Sequence, residues 1–208
     1  MNDITTRERI VEAADMLFYQ RGFEHTSFAD IADVVKISRG NFYFHFKTKD
    51  QILTAVIDQR IANTRAMLEG WEREIPLPVD RIRSFINIVI ANRAQIKRFG
   101  CPVGTLISEL AKLDHVSRSD VKKLFLLFRE WLREQLIKLG CDEKADAYAM
   151  HLLARSQGVA TLTNAFNDEQ FIRNEVEQMN AWLDSCIDHA RRRGSGGRRA
   201  SEHRKTNH

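Results

Sequence analysis

The chain has 208 residues, an apolar share of 43% and a formal net charge of +4, a composition that supports a folded core and excludes a largely disordered protein. It has no run of about eighteen apolar residues and no apolar stretch at its start, so we expect neither a membrane span nor a secretion signal. The cysteines are odd in number and far apart (Cys101, Cys141, Cys186), which argues against a disulfide framework or a zinc site and favours the cytoplasm.

The first predicted helix begins after residue 5 and ends near Gly22. Thr5 and Glu8 have the spacing of a capping box, in which each side chain accepts a hydrogen bond from the other residue's backbone N–H. A glycine directly after Arg21 is typical of a helix C-terminus. The apolar residues between these ends recur at the helical period and are expected to form a buried face: Ile10, Ala14, Leu17 and Phe18.

Two short helices are predicted after this turn. Thr26 and Ser27 are suited to capping the second helix, and Ser38 is suited to capping a third, very short one. Phe42 and Phe46 lie on one side of the third helix and are expected to face inward. A helix followed by two short helices joined by a turn has the geometry of a helix-turn-helix DNA reader.

The charge pattern reverses along this segment. Residues 3–33 contain seven acids and three arginines, whereas residues 36–49 contain four cations and no acid. A local cluster of cations is the pattern expected for a surface that contacts phosphate groups. The third helix therefore predicts a DNA-binding face that the net charge alone does not reveal.

The side of the third helix that faces away from the two inward phenylalanines carries groups suited to base edges. Arg39 is expected to reach a guanine, Asn41 an adenine and Phe44 a thymine methyl group. Gly40 allows a close approach of the backbone to DNA. Phosphate contacts are expected from neighbouring polar and cationic side chains and from helix N-termini. The full predicted DNA-binding set is Thr26, Ser27, Ser38, Arg39, Gly40, Asn41, Tyr43, Phe44, His45, Lys47 and Lys49.

The alternative is that the run FYFHF is core and that the lysines are a solvated rim. Five successive aromatic or imidazole side chains do not all face inward on one helix. Some of Tyr43, Phe44 and His45 are therefore expected to be exposed, and exposed aromatic side chains indicate a binding partner.

Residues 7–53 resemble the N-terminal domain of the TetR family of bacterial transcriptional repressors. The resemblance implies an all-α homodimer that binds double-stranded DNA at a palindromic operator. It also implies a divergent C-terminal domain in which an unknown small-molecule effector alters the spacing of two DNA-binding heads. Phe44 departs from the family pattern, which often has tyrosine or histidine there, so a hydroxyl contact is not expected. The matching landmarks are Gly22-Phe23, Thr26-Ser27, Ile31-Ala32, Ser38-x-Gly40 and Tyr43-x-His45-Phe46-x-x-Lys49.

The rest of the chain shows only the helical period. A long helix is expected from Thr48 to about Trp71, followed by a break at Pro76 and Pro78. These features predict an all-α fold, with a helix-turn-helix DNA-binding domain over 4–64 and a helical ligand-binding and dimerisation domain over 65–190. Further helices are expected near 79–98, 102–113, 118–139, 143–166 and 169–191.

Cys101 is the most distinctive residue of the second half. Pro102 suits the first position of a helix, which makes Cys101 its cap. A thiol at a helix N-terminus beside Lys97 and Arg98 is expected to have a lowered pKa. The stretch also resembles a Gly-Cys-x-x-x-x-Leu-x-x-Glu pattern of some family members, in part of which the cysteine senses electrophiles or oxidants. The alternative is a small side chain that fills a helix junction.

Aromatic and aliphatic residues of the central helices are candidates for a ligand cavity, although each also suits a simple core. Their character suggests an apolar ligand. The candidate ligand-binding or sensing residues are Cys101, Phe85, Val89, Phe125, Phe128 and Met150.

The last two helices are candidates for a dimer interface. Small residues are frequent between Ala145 and Ala165, and an apolar stripe runs from Ile172 to Ala190. Together with the family resemblance, this pattern suggests a four-helix interface between two copies of the chain. The alternative is that both helices belong to the core of one chain.

Residues 191–208 contain seven Arg or Lys residues and one Glu, a net charge of +6. Because the whole chain totals +4, the remaining residues sum to −2. The segment lacks large apolar residues and is expected to be a disordered basic tail, either simply solvated or adding non-specific DNA affinity.

Two other classes of protein compete with a ligand-responsive repressor. An architectural, largely non-specific DNA binder would depend on the basic tail. An enzyme would use Cys101 as a nucleophile, but none of the histidines shows a motif spacing with it. Histidine pairs at metal spacing are also absent, so no catalytic residue, metal or cofactor is expected.

Overall fold

The computed structural model describes the backbone of residues 5–203 and the side chains of residues 5–192. Over these residues the chain forms helices and no strand, which confirms the predicted all-α fold. The helices are α1 (Thr6–Arg21), α2 (Phe28–Val35), α3 (Arg39–His45), α4 (Lys49–Glu74), α5 (Pro78–Ala91), α6 (Arg93–Phe99), α7 (Pro102–Lys112), α8 (Arg118–Lys138), α9 (Ala145–Phe166) and α10 (Glu169–His203).

Contacts between Cα atoms divide the chain into two compact units. The first unit comprises Met1–Met67 and Phe99–Leu126, and the second comprises Leu68–Arg98 and Leu127–His208. Helix α7 and the start of α8 therefore belong to the same unit as α1, α2 and α3. The predicted division at residue 64 into DNA-binding and ligand-binding domains is a functional one and stays a prediction.

The N-terminal helices begin and end where the sequence predicts. The Thr5–Glu8 capping box opens α1, and Gly22 ends it with a φ of 92°. Ser27 caps α2 and Ser38 caps α3. The predicted inward face of α1 is buried in a core that also contains residues from α4 and α7: Ile10, Ala14, Leu17, Phe18, Ile52, Leu53, Val56, Ile57, Leu106 and Leu110.

Hydrogen bonds join the start of α7 to α1 and α4 within the first unit. The Tyr19 hydroxyl donates to the Gly100 carbonyl at 2.7 Å. The Arg60 guanidinium donates to the Asp15 carboxylate at 2.6 Å and to the Pro102 carbonyl at 2.7 Å. Burial raises the pKa of Tyr19 to about 12, so this hydroxyl remains a donor to a higher pH than an exposed tyrosine does.

The second unit packs α5, α9 and α10 against one another. The apolar stripe of α10 is buried within the single chain, so the prediction that these side chains face a dimer partner is wrong. The helical period of these apolar residues indicates a buried face, but it does not indicate which helices cover that face. The buried members are Ile172, Val176, Met179, Leu183, Cys186 and Ile187.

Two of the helix boundaries that differ from the sequence predictions are explained by side-chain hydrogen bonds to backbone carbonyls. The predicted helix 79–98 breaks at Asn92, whose side-chain amide donates to the Ile88 carbonyl and competes with the helical backbone. Helix α4 continues to Glu74, past the predicted end. There the Arg81 guanidinium donates to the carbonyls of Glu72 and Ile75 and so satisfies acceptors in the last turn.

The helical backbone of α10 enters the segment 191–208 that the sequence predicts to be a disordered tail. Most of that segment lies outside the residues whose side chains are described, and its disorder stays a prediction. No helix of the described residues has the length and apolar character needed to cross a membrane.

Candidate DNA-binding surface

Helix α3 is held by aromatic side chains on its inner side. Phe42 is 1% exposed, and its ring centroid lies 5.0 Å from that of Phe28 on α2. Phe46 follows the last turn, is also buried, and lies under the Arg7 guanidinium at 5.0 Å. At the other end, the Ser38 hydroxyl accepts a hydrogen bond from the Asn41 backbone N–H at 3.3 Å. These contacts fix the rotation of α3 about its own axis.

The opposite side of α3 is exposed, as predicted. Arg39, Gly40, Asn41 and Tyr43 are all open to solvent. Phe44 is 77% exposed, an unusual position for a large apolar ring. The alternative in which the whole FYFHF run forms core is therefore wrong, because only Phe42 and Phe46 of that run are buried.

The neighbouring cations do not all project freely. Lys47 is exposed, and its ammonium donates to the Tyr43 carbonyl at the end of α3. The Lys49 ammonium donates to the carbonyls of Phe23 at 3.0 Å and Glu24 at 3.1 Å, and it lies 4.4 Å from the centroid of the Phe23 ring. Lys49 therefore contacts the turn between α1 and α2 rather than projecting into solvent as a phosphate ligand would.

The start of α2 also differs from the expectation. Thr26 is 1% exposed, and its hydroxyl donates to the Gly22 carbonyl at 2.8 Å, so burial leaves this side chain no access to phosphate. Ser27 forms a capping box with Asp30, whose carboxylate accepts from the Ser27 hydroxyl and backbone N–H. These hydrogen bonds hold the pKa of Asp30 below its usual range.

The two remaining predicted contacts lie at the edge of the exposed face. The His45 ring is half-buried and meets the Phe44 ring edge-on at 5.2 Å. The Tyr43 ring meets Phe28 edge-on at 5.5 Å, and Tyr43 remains partly exposed. Tyr43 therefore also packs α3 on α2, and both side chains remain partly accessible to solvent.

Sequence reasoning missed a carboxylate that contacts the same turn. Glu109 on α7 accepts hydrogen bonds from the backbone N–H groups of Phe23 and Glu24, both at 2.9 Å. The Glu of the Gly-Cys-x-x-x-x-Leu-x-x-Glu pattern marks this position, but nothing in the local sequence indicates its partner. Arg9 on α1 was missed likewise, and it donates to the Val35 carbonyl at the end of α2 at 2.8 Å.

Cys101 is the N-cap of α7, as predicted. Its sulfur accepts a hydrogen bond from the Gly104 N–H at 3.4 Å, and the side chain is half-buried. Cys101 lies between Gly100 and Pro102. The carbonyls of these two residues accept hydrogen bonds from Tyr19 on α1 and from Arg60 on α4. Cys141 and Cys186 are buried, and burial raises the pKa of both thiols.

The candidate ligand residues are distributed over α5, α8, α9 and the N-cap of α7. Phe85 and Val89 are buried on α5, and the Phe85 ring centroid lies 5.5 Å from that of Phe128. Phe125 belongs to the first unit, and Met150 is 43% exposed on α9. A cavity of about 360 Å³ in the second unit has a different lining: Gly140, Cys141, Asp142, Glu143, Lys144, Tyr148, Cys186, His189 and Ala190.

Comparison with known protein families gives two matches along the chain. Residues 10–56 match the family described as bacterial regulatory proteins, tetR family. Residues 78–178 match the family described as transcriptional regulator LmrA/YxaF-like, C-terminal domain.

Individual proteins are similar over most of the chain. An HTH-type transcriptional regulator in the lacX 3′ region of Lactococcus lactis subsp. lactis is 31% identical over 176 residues, 83% of this chain and 90% of that protein. The HTH-type transcriptional repressor BepR of Brucella suis biovar 1 (strain 1330) is 26% identical over 170 residues, 74% of this chain and 78% of that protein. The crystal structure of a TetR transcriptional regulator from Legionella pneumophila is similar with a TM-score of 0.75 and 26% identity, covering 89% of this chain and 98% of that one.

Proposed function

The chain belongs to the TetR family of bacterial transcriptional regulators, and on that premise we propose that it is a homodimeric repressor. It binds a palindromic operator in double-stranded DNA and is released by a small apolar or electrophilic ligand. The observation that carries this proposal is the two-sided character of α3, which buries Phe42 while it exposes Phe44, Arg39 and Asn41. A similar protein from Brucella suis is named a repressor, which supports repression.

We assign the base contacts to the exposed side of α3. Arg39 is at the first position of the helix, where its guanidinium reaches a guanine edge, and Asn41 pairs with adenine. Each such bidentate pair typically discriminates against a wrong base by about 1–3 kcal/mol. Phe44 meets a thymine methyl group, which gives its exposed ring a partner.

Phosphate contacts are assigned to the residues around this face. Tyr43, His45 and Lys47 supply side-chain donors, and the exposed Ser27 and Ser38 lie at helix N-termini where backbone N–H groups attract phosphate. The burial of Thr26 and the hydrogen bonds of Lys49 argue against direct phosphate contacts from those two side chains.

The dimer surface is assigned to the outer side of α9. Exposed small and apolar residues recur there every fourth position, so that neighbouring members of the row lie side by side on the helix surface. Phe166 is 73% exposed, and small residues between the larger ones allow two helix backbones to approach closely. This stripe comprises Met150, Ala154, Gly158, Leu162 and Phe166.

Ligand release is assigned to the start of α7. An electrophile that forms a bond to the Cys101 sulfur would add bulk at the N-cap of α7. This cap lies between the Gly100 and Pro102 carbonyls, which accept hydrogen bonds from Tyr19 on α1 and Arg60 on α4. Replacing Cys101 with Ser keeps the cap and removes the thiol. Release of DNA by an alkylating reagent should then be lost, and release that persists in the variant would remove Cys101 from the mechanism.

Selection of genomic DNA fragments by the purified full-length protein tests the proposed function. A repressor enriches fragments that share a palindromic sequence, with half-sites separated by about 10 base pairs or a multiple of that spacing. Deletion of residues 191–208 tests the architectural alternative, since a repressor keeps its selected sequence without the tail. Enrichment of unrelated fragments, or loss of nearly all affinity on deletion, would favour the architectural binder.

A further inference from the structure

In the turn between α1 and α2, both backbone N–H groups and backbone carbonyls form hydrogen bonds to charged side chains. Phe23 and Glu24 each donate a backbone N–H to the Glu109 carboxylate on α7 at 2.9 Å. The carbonyls of the same two residues accept from the Lys49 ammonium at 3.0 and 3.1 Å. Four backbone groups of two consecutive residues are thus bound by one anion and one cation, and we call this arrangement the turn clamp.

The turn has little freedom to leave the clamp. Gly22 has a φ of 92°, and a Cβ atom added there would lie 2.9 Å from the Glu109 Oε1 atom. A glycine is therefore needed both for the backbone conformation and for the close approach of the carboxylate. The Phe23 ring is buried between the edges of Phe18 and His115, each with a centroid separation of 5.3 Å.

His115, in the loop after α7, contacts both the turn and α4. Its Nδ1 atom accepts from the Ser117 N–H at 3.1 Å, so Nε2 carries the proton in the neutral ring. That nitrogen lies 3.4 Å from the Asp50 carboxylate in the first turn of α4. The loop after α7 therefore contacts both the turn and the helix that supplies Lys49.

The clamped residues Phe23 and Glu24 directly precede helices α2 and α3. Ser27, the N-cap of α2, lies only three residues after Glu24, and α3 is packed on α2 through Phe28 and Phe42. A shift of the turn would therefore carry α2 and α3 with it. None of the clamp groups belongs to the exposed side of α3, so their effect on DNA is indirect.

We propose that Glu109 and Lys49 are positioning residues for DNA recognition. They hold the Phe23–Glu24 turn so that the exposed side of α3 has the orientation that DNA binding requires. The proposal rests on the proposed function, because it names the contact through which α7 sets operator binding. Charge-assisted hydrogen bonds such as these are roughly twice as strong as neutral ones, so an uncharged side chain should loosen the clamp without unfolding the core.

The experiment compares Glu109→Gln with Glu134→Gln in the full-length protein. Glutamine leaves one carbonyl acceptor and directs an N–H₂ group at one of two backbone donors. Glu134 lies on the exposed part of α8 in the second unit and provides the same change of charge. Gly22→Ala is a second variant, whose methyl group displaces the carboxylate and also disfavours the backbone conformation of the turn.

Three quantities are measured at a temperature where every variant is folded. Amide hydrogen exchange at Phe23 and Glu24, without DNA, reports the clamp itself. The ratio of affinities for a selected operator and a scrambled duplex reports recognition, and the slope of log affinity against log salt reports phosphate contacts. We expect faster exchange and an affinity ratio lowered about tenfold for Glu109→Gln and Gly22→Ala, with an unchanged salt slope, and wild-type values for Glu134→Gln.

The outcomes separate this proposal from the function on which it rests. A wild-type protein with protected amides but no selective binding contradicts the proposed function, and the clamp's role in recognition falls with it. A wild-type protein that binds selectively, with Glu109→Gln showing faster exchange but an unchanged affinity ratio, overturns the positioning role alone. Unchanged exchange in Glu109→Gln overturns the clamp itself. A lowered affinity for operator and scrambled DNA in equal proportion also overturns the positioning role.

Discussion

Phe42 and Phe44 lie two positions apart on α3 and have opposite environments. The Phe42 side chain is 1% exposed and packs on Phe28, whereas the Phe44 side chain is 77% exposed. The same residue type therefore serves the core at one position and the surface at the other, and the two positions give a matched pair for mutation.

Alanine at these two positions should separate folding from DNA binding. Phe42→Ala leaves a cavity under α3 and should lower the free energy of unfolding by about 3–5 kcal/mol. Phe44→Ala removes no buried contact and should change stability by less than about 0.5 kcal/mol, while it weakens operator binding. Thermal unfolding and operator titration check both. Equal destabilisation by the two substitutions would contradict the orientation of α3.

The two lysines after α3 should differ in their salt dependence. Lys47 is exposed directly after α3. Lys47→Gln should therefore reduce the slope of log affinity against log salt by about 0.9, which is the value for one lost phosphate contact on duplex DNA. Lys49→Gln should lower affinity without changing that slope, because its ammonium is bound to backbone carbonyls. A reduced slope for Lys49→Gln would return this residue to the set of phosphate contacts.

Gly158 tests the dimer surface on α9. A Cβ atom added there meets no heavy atom within 4 Å among the described residues, so a larger side chain has space within this part of the chain. Gly158→Leu should therefore leave the fold intact and weaken the dimer, because it separates two closely packed helices. Light scattering during gel filtration measures the mass. A stable dimer in both Gly158→Leu and Phe166→Asp would place the interface elsewhere.

The three cysteines should react at different rates with an alkylating reagent. Burial raises the pKa of the Cys141 and Cys186 thiols, so at neutral pH they hold less of the reactive thiolate than an exposed thiol and are also shielded. The half-buried Cys101 should be labelled first in the native protein, and all three should react at similar rates after denaturation. Mass spectrometry of peptides from a time course checks the order. Faster labelling of Cys141 or Cys186 would contradict it.

Local spacing was enough to predict the ends of the N-terminal helices and the exposed side of α3. The Thr5–Glu8 box, the Gly22 end and the Ser38 cap all act between residues that are close in the sequence, and each is present. The exposure of Phe44 follows from counting, since one helix side does not hold five successive rings. These predictions succeed because the forces involved act within one or two helical turns.

Contacts between distant parts of the chain were not predicted. Lys49 binds carbonyls 25 and 26 positions away, and Glu109 binds amides 85 and 86 positions away. No local pattern distinguishes a lysine that binds phosphate from one that binds backbone carbonyls. The burial of Thr26 was not predicted, and the α10 stripe was assigned to a dimer interface in preference to the core of one chain, because helical period identifies a buried face but not the surface that buries it.

We propose that α3 reads DNA sequence through Arg39 and Asn41. The most direct test is a competition titration of the wild type and of the Arg39→Ala/Asn41→Ala double variant, with a selected operator against a scrambled duplex at fixed salt. We predict that the wild type prefers the operator and that the variant loses at least about tenfold of that preference, while its affinity for scrambled DNA falls less. An operator preference that survives in the folded variant would contradict the assignment of the reading face.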